Sequence, residues 1–293
     1  MGFFQSLKSE QLLHKAYKKQ AAGNIEEALA LYDQAFQGGY SNPRYALAYS
    51  VLLLRNGHYE KATEVLKHTE KLPGLNAEQK NQLYVNYAAC QYKLGALDKA
   101  IRLLEKQGGR QSTGLIYETL GYLYVEKYDA QHIPDFDELD KKLLDSAKAS
   151  WEKANKEAQD VAAITGNEFV PVAFVEPEKS LTAWNEGKEK AEAYIRESVD
   201  YDDEDSICLD NMGQFLYRVL DQKEAAREYF QKAIEIKPGQ IDTLYFLAQY
   251  DLAEGNTDAA AEKYTKALEG RFSPLNYASK DMIEKELSTL KVH

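Results

Sequence analysis

The sequence predicts an all-α protein, a solenoid of stacked helix–turn–helix repeats. Three observations carry this. A triad recurs along the chain: a small residue, a large apolar residue four positions later, and a small residue three beyond that. Several triads stand 34 residues apart, the period of a two-helix unit. A glycine stands five residues before most of them. A helix pair of this size cannot bury its apolar stripe alone, so each unit must stack on the next.

The elements follow in order. The first triad is Ala28, Tyr32 and Ala35, and the second is Ala62, Leu66 and Thr69, its first residue 34 positions further on. The third, 38 positions on, keeps Ala100 and Leu104 but has Gln107 in the last place. Gly23, Gly57 and Gly95 precede the leading alanines by five residues. Each sits where a helix must end in the left-handed conformation that glycine adopts without steric cost. Ala16, Ser50 and Ala88 lie twelve residues before the same alanines, where small side chains let the two helices of a unit approach closely. Pro43 and Pro73 fall at unit joints, since proline cannot continue a helix interior.

A fourth unit begins with Gly121 and Tyr124, and residues 128–135 then interrupt it. Its second helix is predicted from about Asp137 to Ala163, with the triad Ala147, Trp151 and Ala154. Gly121 and Ala147 are 26 residues apart where intact units have 12, so about 14 residues enter the turn. Residues 164–180 carry two prolines, a glycine and a β-branched run, which predicts an extended segment. Two readings stay open: a spacer, or a strip that packs across the groove or meets a partner.

A helix from Ser180 or Leu181 to about Val199 carries Ala191, Ile195 and Ser198. Two regular triads follow 34 residues apart, Ala226, Phe230, Ala233 and Ala260, Tyr264, Ala267, with Ala248 and Gly255 in the expected places of the last unit. Asp221 replaces the glycine in the unit led by Ala226, and that unit has room for one extra residue in its first helix or turn. Pro238 and Pro274 mark joints, and a last helix, about 279–291, is polar on one side, as a solubilising cap requires. The predicted organisation is an N-terminal block of about three and a half repeats (1–127), an insertion with one long helix and an extended loop (128–180), and a C-terminal block with its cap (181–293).

Several of these stretches carry a family resemblance. GNIEEALALYDQAF, DQKEAAREYFQKAIEIKP and GNTDAAAEKYTKAL resemble the second helix of tetratricopeptide repeats, and LGYLYVEK resembles the first. The tail from DYDDED through LDNMGQ to FSPLNY looks like stand-alone bacterial cytosolic members of this class. The resemblance implies a protein-binding scaffold. Some relatives grip a C-terminal dicarboxylate with Lys and Asn on their first helices. Leu13 and Tyr17 stand at the leading two of those places, which departs from a chaperone-tail adaptor.

Composition narrows the partners. The net charge is −11, with no basic run to displace counterions from phosphate, so no nucleic-acid partner is expected. No window approaches 18 apolar residues, so no membrane insertion is expected, and the first residues lack the apolar core of a secretory signal. Met1-Gly2 to Ser6 meets the loose myristoylation pattern, which short matches often meet by chance; a helix lead-in is the preferred reading. Cys90 and Cys208 stand far apart and in no CxxC pair, which fits a reduced, cytoplasmic setting, and Cys90, beside Ala88 and Ala89, reads as a buried inert thiol.

No catalytic or metal chemistry emerges. His14, His58, His68, His132 and His293 show no ligand spacing. Residues 200–205 are acidic, but Asp205 and Asn211 occupy the places where a calcium loop needs Gly and Glu. They read as a turn whose carboxylates face the N-terminus of a helix starting at Ser206. Gly38-Gly39 and Gly108-Gly109 read as helix ends, not phosphate loops. No cofactor and no metal are expected.

By register with the repeat, the groove-facing positions are Leu13, Tyr17, Leu47, Val51, Leu54, Val85 and Tyr92, with Arg44, Arg55, Gln82 and Lys93 beside them. In the C-terminal block they are Asp210, Gln214, Tyr217, Arg218, Tyr245, Gln249 and Leu252. The function these residues predict is binding of a protein or peptide segment in the concave groove, by a monomer, with no catalysis. Two alternatives stay open: a self-assembling repeat array, and an enzyme built on the middle insertion.

Overall fold

The computed structural model of the protein describes residues 3–39, 42–108 and 113–290. Gly2, Gly109, Lys291 and His293 lie outside the described residues. Among those described there are fourteen α-helices and no strand. They run α1 Phe3–Ala21, α2 Ile25–Gln37, α3 Pro43–Arg55, α4 Tyr59–Glu70, α5 Ala77–Lys93, α6 Leu97–Gly108, α7 Gly114–Tyr128, α8 Phe136–Thr165, α9 Ser180–Tyr201, α10 Ser206–Gln214, α11 Lys223–Ile236, α12 Ile241–Ala253, α13 Thr257–Leu268 and α14 Lys280–Leu290. The chain is an all-α solenoid. No described helix is long and apolar enough to cross a membrane.

Contacts divide the chain into two compact units, residues 1–127 with 194–293, and residues 128–193. The first unit holds the repeats. Its triads are its core: Ala28, Tyr32, Ala62, Leu66, Ala100, Leu104, Ala226, Phe230, Ala260 and Tyr264 are fully buried. In two repeats the large member of the triad meets an aromatic ring from the next first helix. Tyr32 stacks on Tyr49 with ring centroids 4.9 Å apart, and Phe230 stacks on Phe246 at 5.0 Å. Offset aromatic stacking of this kind adds to the stabilisation from apolar burial alone.

The turns explain the glycines. Gly23, Gly57, Gly95 and Gly255 have φ between +78° and +81°, and Asp221, at the equivalent place, has φ +54°. Among the described residues, Asp221 is the non-glycine with positive φ. The extra residue of that unit also finds its place. After α10 the chain widens into a π-helical turn, Phe215–Val219, before reaching Asp221. A π-turn absorbs one residue without breaking the helix. The small residue of the unit is therefore Gly213, thirteen positions before Ala226, and a Cβ there would lie 2.7 Å from the Phe230 ring.

The fourth repeat corrects the expectation for residues 137–163. α8 contains no buried residue, and Trp151 is 37% exposed. The helix that completes the repeat is the end of α9. Tyr194 packs against Tyr117 and Tyr124 of α7, the Tyr117 hydroxyl donates to Glu197 at 2.7 Å, and Ile195 and Ser198 are fully buried. The triad at 147–154 has the right spacing, but spacing marks only an amphipathic stripe and does not say what covers it. The interruption within the fourth repeat is therefore far longer than 14 residues, reaching from the end of α7 to the middle of α9.

The second unit is that interruption. Trp151 donates its indole N–H to the Val172 carbonyl at 2.7 Å, and the Val172 amide donates to Asn155 at 2.9 Å. The non-helical residues 166–179 are thus tied along α8. The Ser180 amide donates to Asp140 at 2.7 Å, and Trp184 sets its edge against Tyr128 and Phe136. Val161, Ile164, Val170 and Val175 remain exposed.

Candidate functional site

The first helices of the repeat unit share a register. Relative to the small residue of each, the positions six, three and two before it and one after it face one side. In α5 these are Gln82, Val85, Asn86 and Ala89; in α7 they are Leu115, Glu118, Thr119 and Tyr122; α10 supplies Ile207, Asp210 and Asn211. All of them line one cleft of about 580 Å³. Val51, Leu54 and Arg55 of α3 close one side, and residues 237–242 close the other. That volume is in the range of ligand-binding clefts.

The remaining wall is a strap, residues 271–276, that leaves α13 and returns across the first helices. Leu275 packs against the core of the N-terminal repeats. The strap is held by one carboxylate: Asp242 accepts from Asn276 Nδ2 at 3.1 Å and from the amides of Tyr277 and Ala278, each at 3.0 Å. Asp242 is 4% exposed, so these bonds replace the water it lost.

Beside it lies a polar network. Asp210 accepts from Gln214 at 2.7 Å and from Thr243 at 2.5 Å. Arg218 donates to Gln214 and to Glu126, each at 2.7 Å, and Tyr92 donates to the other Glu126 oxygen. Burial raises the Asp242 carboxyl and, with Asp242 nearby, raises Asp210 to about 7. Glu118 is raised in the same way, by burial and then by Asp205. A buried carboxyl beside another carboxyl favours its neutral form. Asp205 itself caps α10, accepting from the amides of Ile207 and Cys208.

The predicted groove residues separate into four groups. Val51, Leu54, Arg55, Gln82 and Val85 line the cleft together. Tyr92, Gln214 and Arg218 belong to the polar network, and Lys93 lies over the Tyr92 ring. Tyr17 and Arg44 form a separate cation–π pair 5.8 Å apart, outside the cleft. Leu13, Leu47, Tyr217, Tyr245 and Gln249 go into packing. Leu13 is 0% exposed and Leu47 is buried with it in the N-terminal core. Tyr217 sits among Phe230, Phe246 and Tyr250, and Tyr245 among Phe246, Tyr264 and Tyr277. Gln249 donates to the Tyr264 hydroxyl. The π-turn shifts the register at Tyr217 and re-aims its ring into the core. Reasoning from the sequence passed over Glu118 and Tyr122, which continue the register on the interrupted repeat. It also passed over the strap, for which no periodic signal exists.

Cys90 and Cys208 are free and buried, and burial pushes their thiols up to about 11 and about 12. Such thiols are weakly nucleophilic at neutral pH.

Comparison with known proteins agrees with this geometry. The profile of the family "Anaphase-promoting complex, cyclosome, subunit 3" matches residues 21–107. No curated protein matches the sequence. Among solved structures the chain is similar to a thermophilic TPR protein of Thermus thermophilus, at 15% identity and a TM-score of 0.55, over 86% of this chain and 100% of that one. It is also similar to PilF of Pseudomonas aeruginosa, at 12% identity and a TM-score of 0.50, over 98% of each chain. With helix pairs in this register and a period of 34, the chain has the tetratricopeptide-repeat fold.

Proposed function

We propose that the protein is a non-catalytic adaptor that holds a short segment of another protein in the cleft of its repeat unit, in a reducing compartment such as the cytoplasm. One observation carries the reading: three first helices, α5, α7 and α10, present their shared register to a single cleft, closed by α3, that combines apolar side chains with amides and charges. Val51, Leu54, Val85, Leu115, Ile207 and Ile241 offer apolar area, and Gln82, Asn86 and Asn211 offer directed hydrogen-bonding groups. Apolar area supplies affinity and a few polar groups fix orientation. Asn86 is already oriented, accepting from Gln82 and donating to Ser50.

The test is site-specific photo-cross-linking in the native host. A cross-linker at Val51 or Gln82 is expected to capture the same partner, and one at Lys232 on α11 is expected not to. Equal capture from all three positions sinks the reading.

A second reading, self-association, is favoured by the apolar side chains exposed on the 128–193 unit, Val161, Ile164, Val170 and Val175. Light scattering across a concentration series decides it, since a constant monomer mass leaves no place for self-assembly.

A further inference from the structure

The cleft carries three cations, Arg55, Lys237 and Arg271. Among the described residues none of the three has an ion pair or a side-chain hydrogen bond. Other arginines of the protein are matched: Arg218 pairs with Glu126 and Arg227 with Glu254. The cleft carboxyls, by contrast, are engaged. Asp242 holds the strap, Asp210 accepts from Gln214 and Thr243, and Glu118 lies beside Asp205 and within the field of Lys237. Arg55 and Arg271 are thus left unmatched at a cleft in a chain whose net charge is −11.

Arg55 and Arg271 come from opposite walls. Arg55 ends α3, and Arg271 begins the strap after α13. Partial burial holds the Arg55 guanidinium below its ordinary range, and Arg271 is near enough to add to the effect. Two guanidinium groups brought together without a counter-ion repel each other, and an anion between them relieves that repulsion. Apolar side chains lie in the same cleft, which a small inorganic anion would leave uncovered.

We propose that the segment bound in this cleft is acidic, with a Glu or Asp carboxylate clamped between Arg55 and Arg271 and neighbouring apolar side chains against Val51, Leu54 and Val85. The inference rests on the adaptor reading and names its partner class. A carboxylate there bridges the strap to the second repeat. Lys237 adds attraction at the far wall, so acidic residues on both flanks of the apolar anchors are favoured.

The test uses the full chain and two labelled synthetic peptides, GSELLEELLEGS and its glutamine counterpart GSQLLQQLLQGS, read by fluorescence anisotropy. The acidic peptide is expected to bind about tenfold or more tighter, a difference of ~1.4 kcal/mol or more, since charge-assisted hydrogen bonds are stronger than neutral ones. R55Q and R271Q are each expected to weaken the acidic peptide about tenfold and leave the glutamine peptide unchanged. R271K, which keeps the charge on the strap, retains part of the affinity, while a strap merely disturbed by substitution would lose both peptides in R271Q. Equal binding of the two peptides overturns the acidic preference and leaves the cleft reading standing. Binding that V51E does not weaken places the peptides elsewhere and removes both. Failure of both peptides to bind, or displacement of the acidic one by inorganic phosphate at similar concentration, also overturns the proposal.

Discussion

The guanidinium carbon of Arg218 lies 3.9 Å from the centre of the Tyr277 ring. Arg218 belongs to the fifth repeat and Tyr277 to the segment that follows the sixth, so this contact joins the strap to the repeat stack. The same guanidinium donates to Glu126 of the fourth repeat. Three parts of the chain, separated by up to 151 residues between Glu126 and Tyr277, meet at one cation.

Removing Arg218 should therefore cost more than its contacts suggest. Glu126, its side chain 10% exposed, would keep the Tyr92 hydroxyl and the nearby Lys93 charge but lose its ion-pair partner. Breaking one side of a buried pair costs about 3–5 kcal/mol. R218M is expected to lower the stability read from urea unfolding by that amount, and R218M with E126Q to recover much of it. Additive losses in the double variant would show that the two residues act independently.

The π-turn rests on close approach at Gly213. A methyl group there would press on the Phe230 ring, itself fully buried against Phe246. G213A is expected to destabilise by about 1–3 kcal/mol, the range for overpacking a core. The control is G239A, where a Cβ meets nothing within 4 Å. Equal effects in thermal unfolding would refute the close-approach argument.

Asp221 holds a backbone conformation that costs most side chains about 1 kcal/mol. Its ion pair with Lys223, at 3.6 Å and exposed, offsets little of this. D221G should raise stability by about 0.5–1 kcal/mol, and G57A, at the equivalent turn, should lower it by a similar amount. Chemical denaturation of both variants checks the pair of signs.

Stability should fall as pH rises toward neutrality. Asp210 and Asp242 are raised by burial, Asp210 to about 7, whereas unfolded aspartates titrate near ~3.9. The folded state then binds protons more tightly, so the stability from the neutral form is present below about pH 4 and is lost as pH passes through about 7. Glu118 acts with the same sign. Urea midpoints from pH 5 to 8 should decline in the wild type and decline less in D210N. Parallel profiles would mean that Asp210 contributes nothing to the slope.

Much of this was legible along the chain. The triads Ala28–Tyr32–Ala35 and Ala226–Phe230–Ala233 announced helix pairs because a 3.6-residue helix returns the same face every three or four positions. The turn glycines were legible because only a left-handed residue ends a helix at that point, and Asp221 stood out as the exception. The triad at Ala147, Trp151 and Ala154 misled, since an isolated apolar stripe looks the same whether it enters the repeat stack or takes Phe174 and the Val172 carbonyl instead.

By itself, then, the amino-acid order determined the all-α class, the 34-residue period, the turns and room for one extra residue in the first helix or turn of the fifth repeat, because each is a local consequence of backbone geometry and side-chain size. Tertiary structure alone decided that the end of α9 completes the fourth repeat, that the strap returns to the N-terminal core, and that Arg55 and Arg271 face one cleft. Those outcomes depend on contacts between residues tens to hundreds of positions apart, which the stacking of the repeats sets and no local pattern encodes.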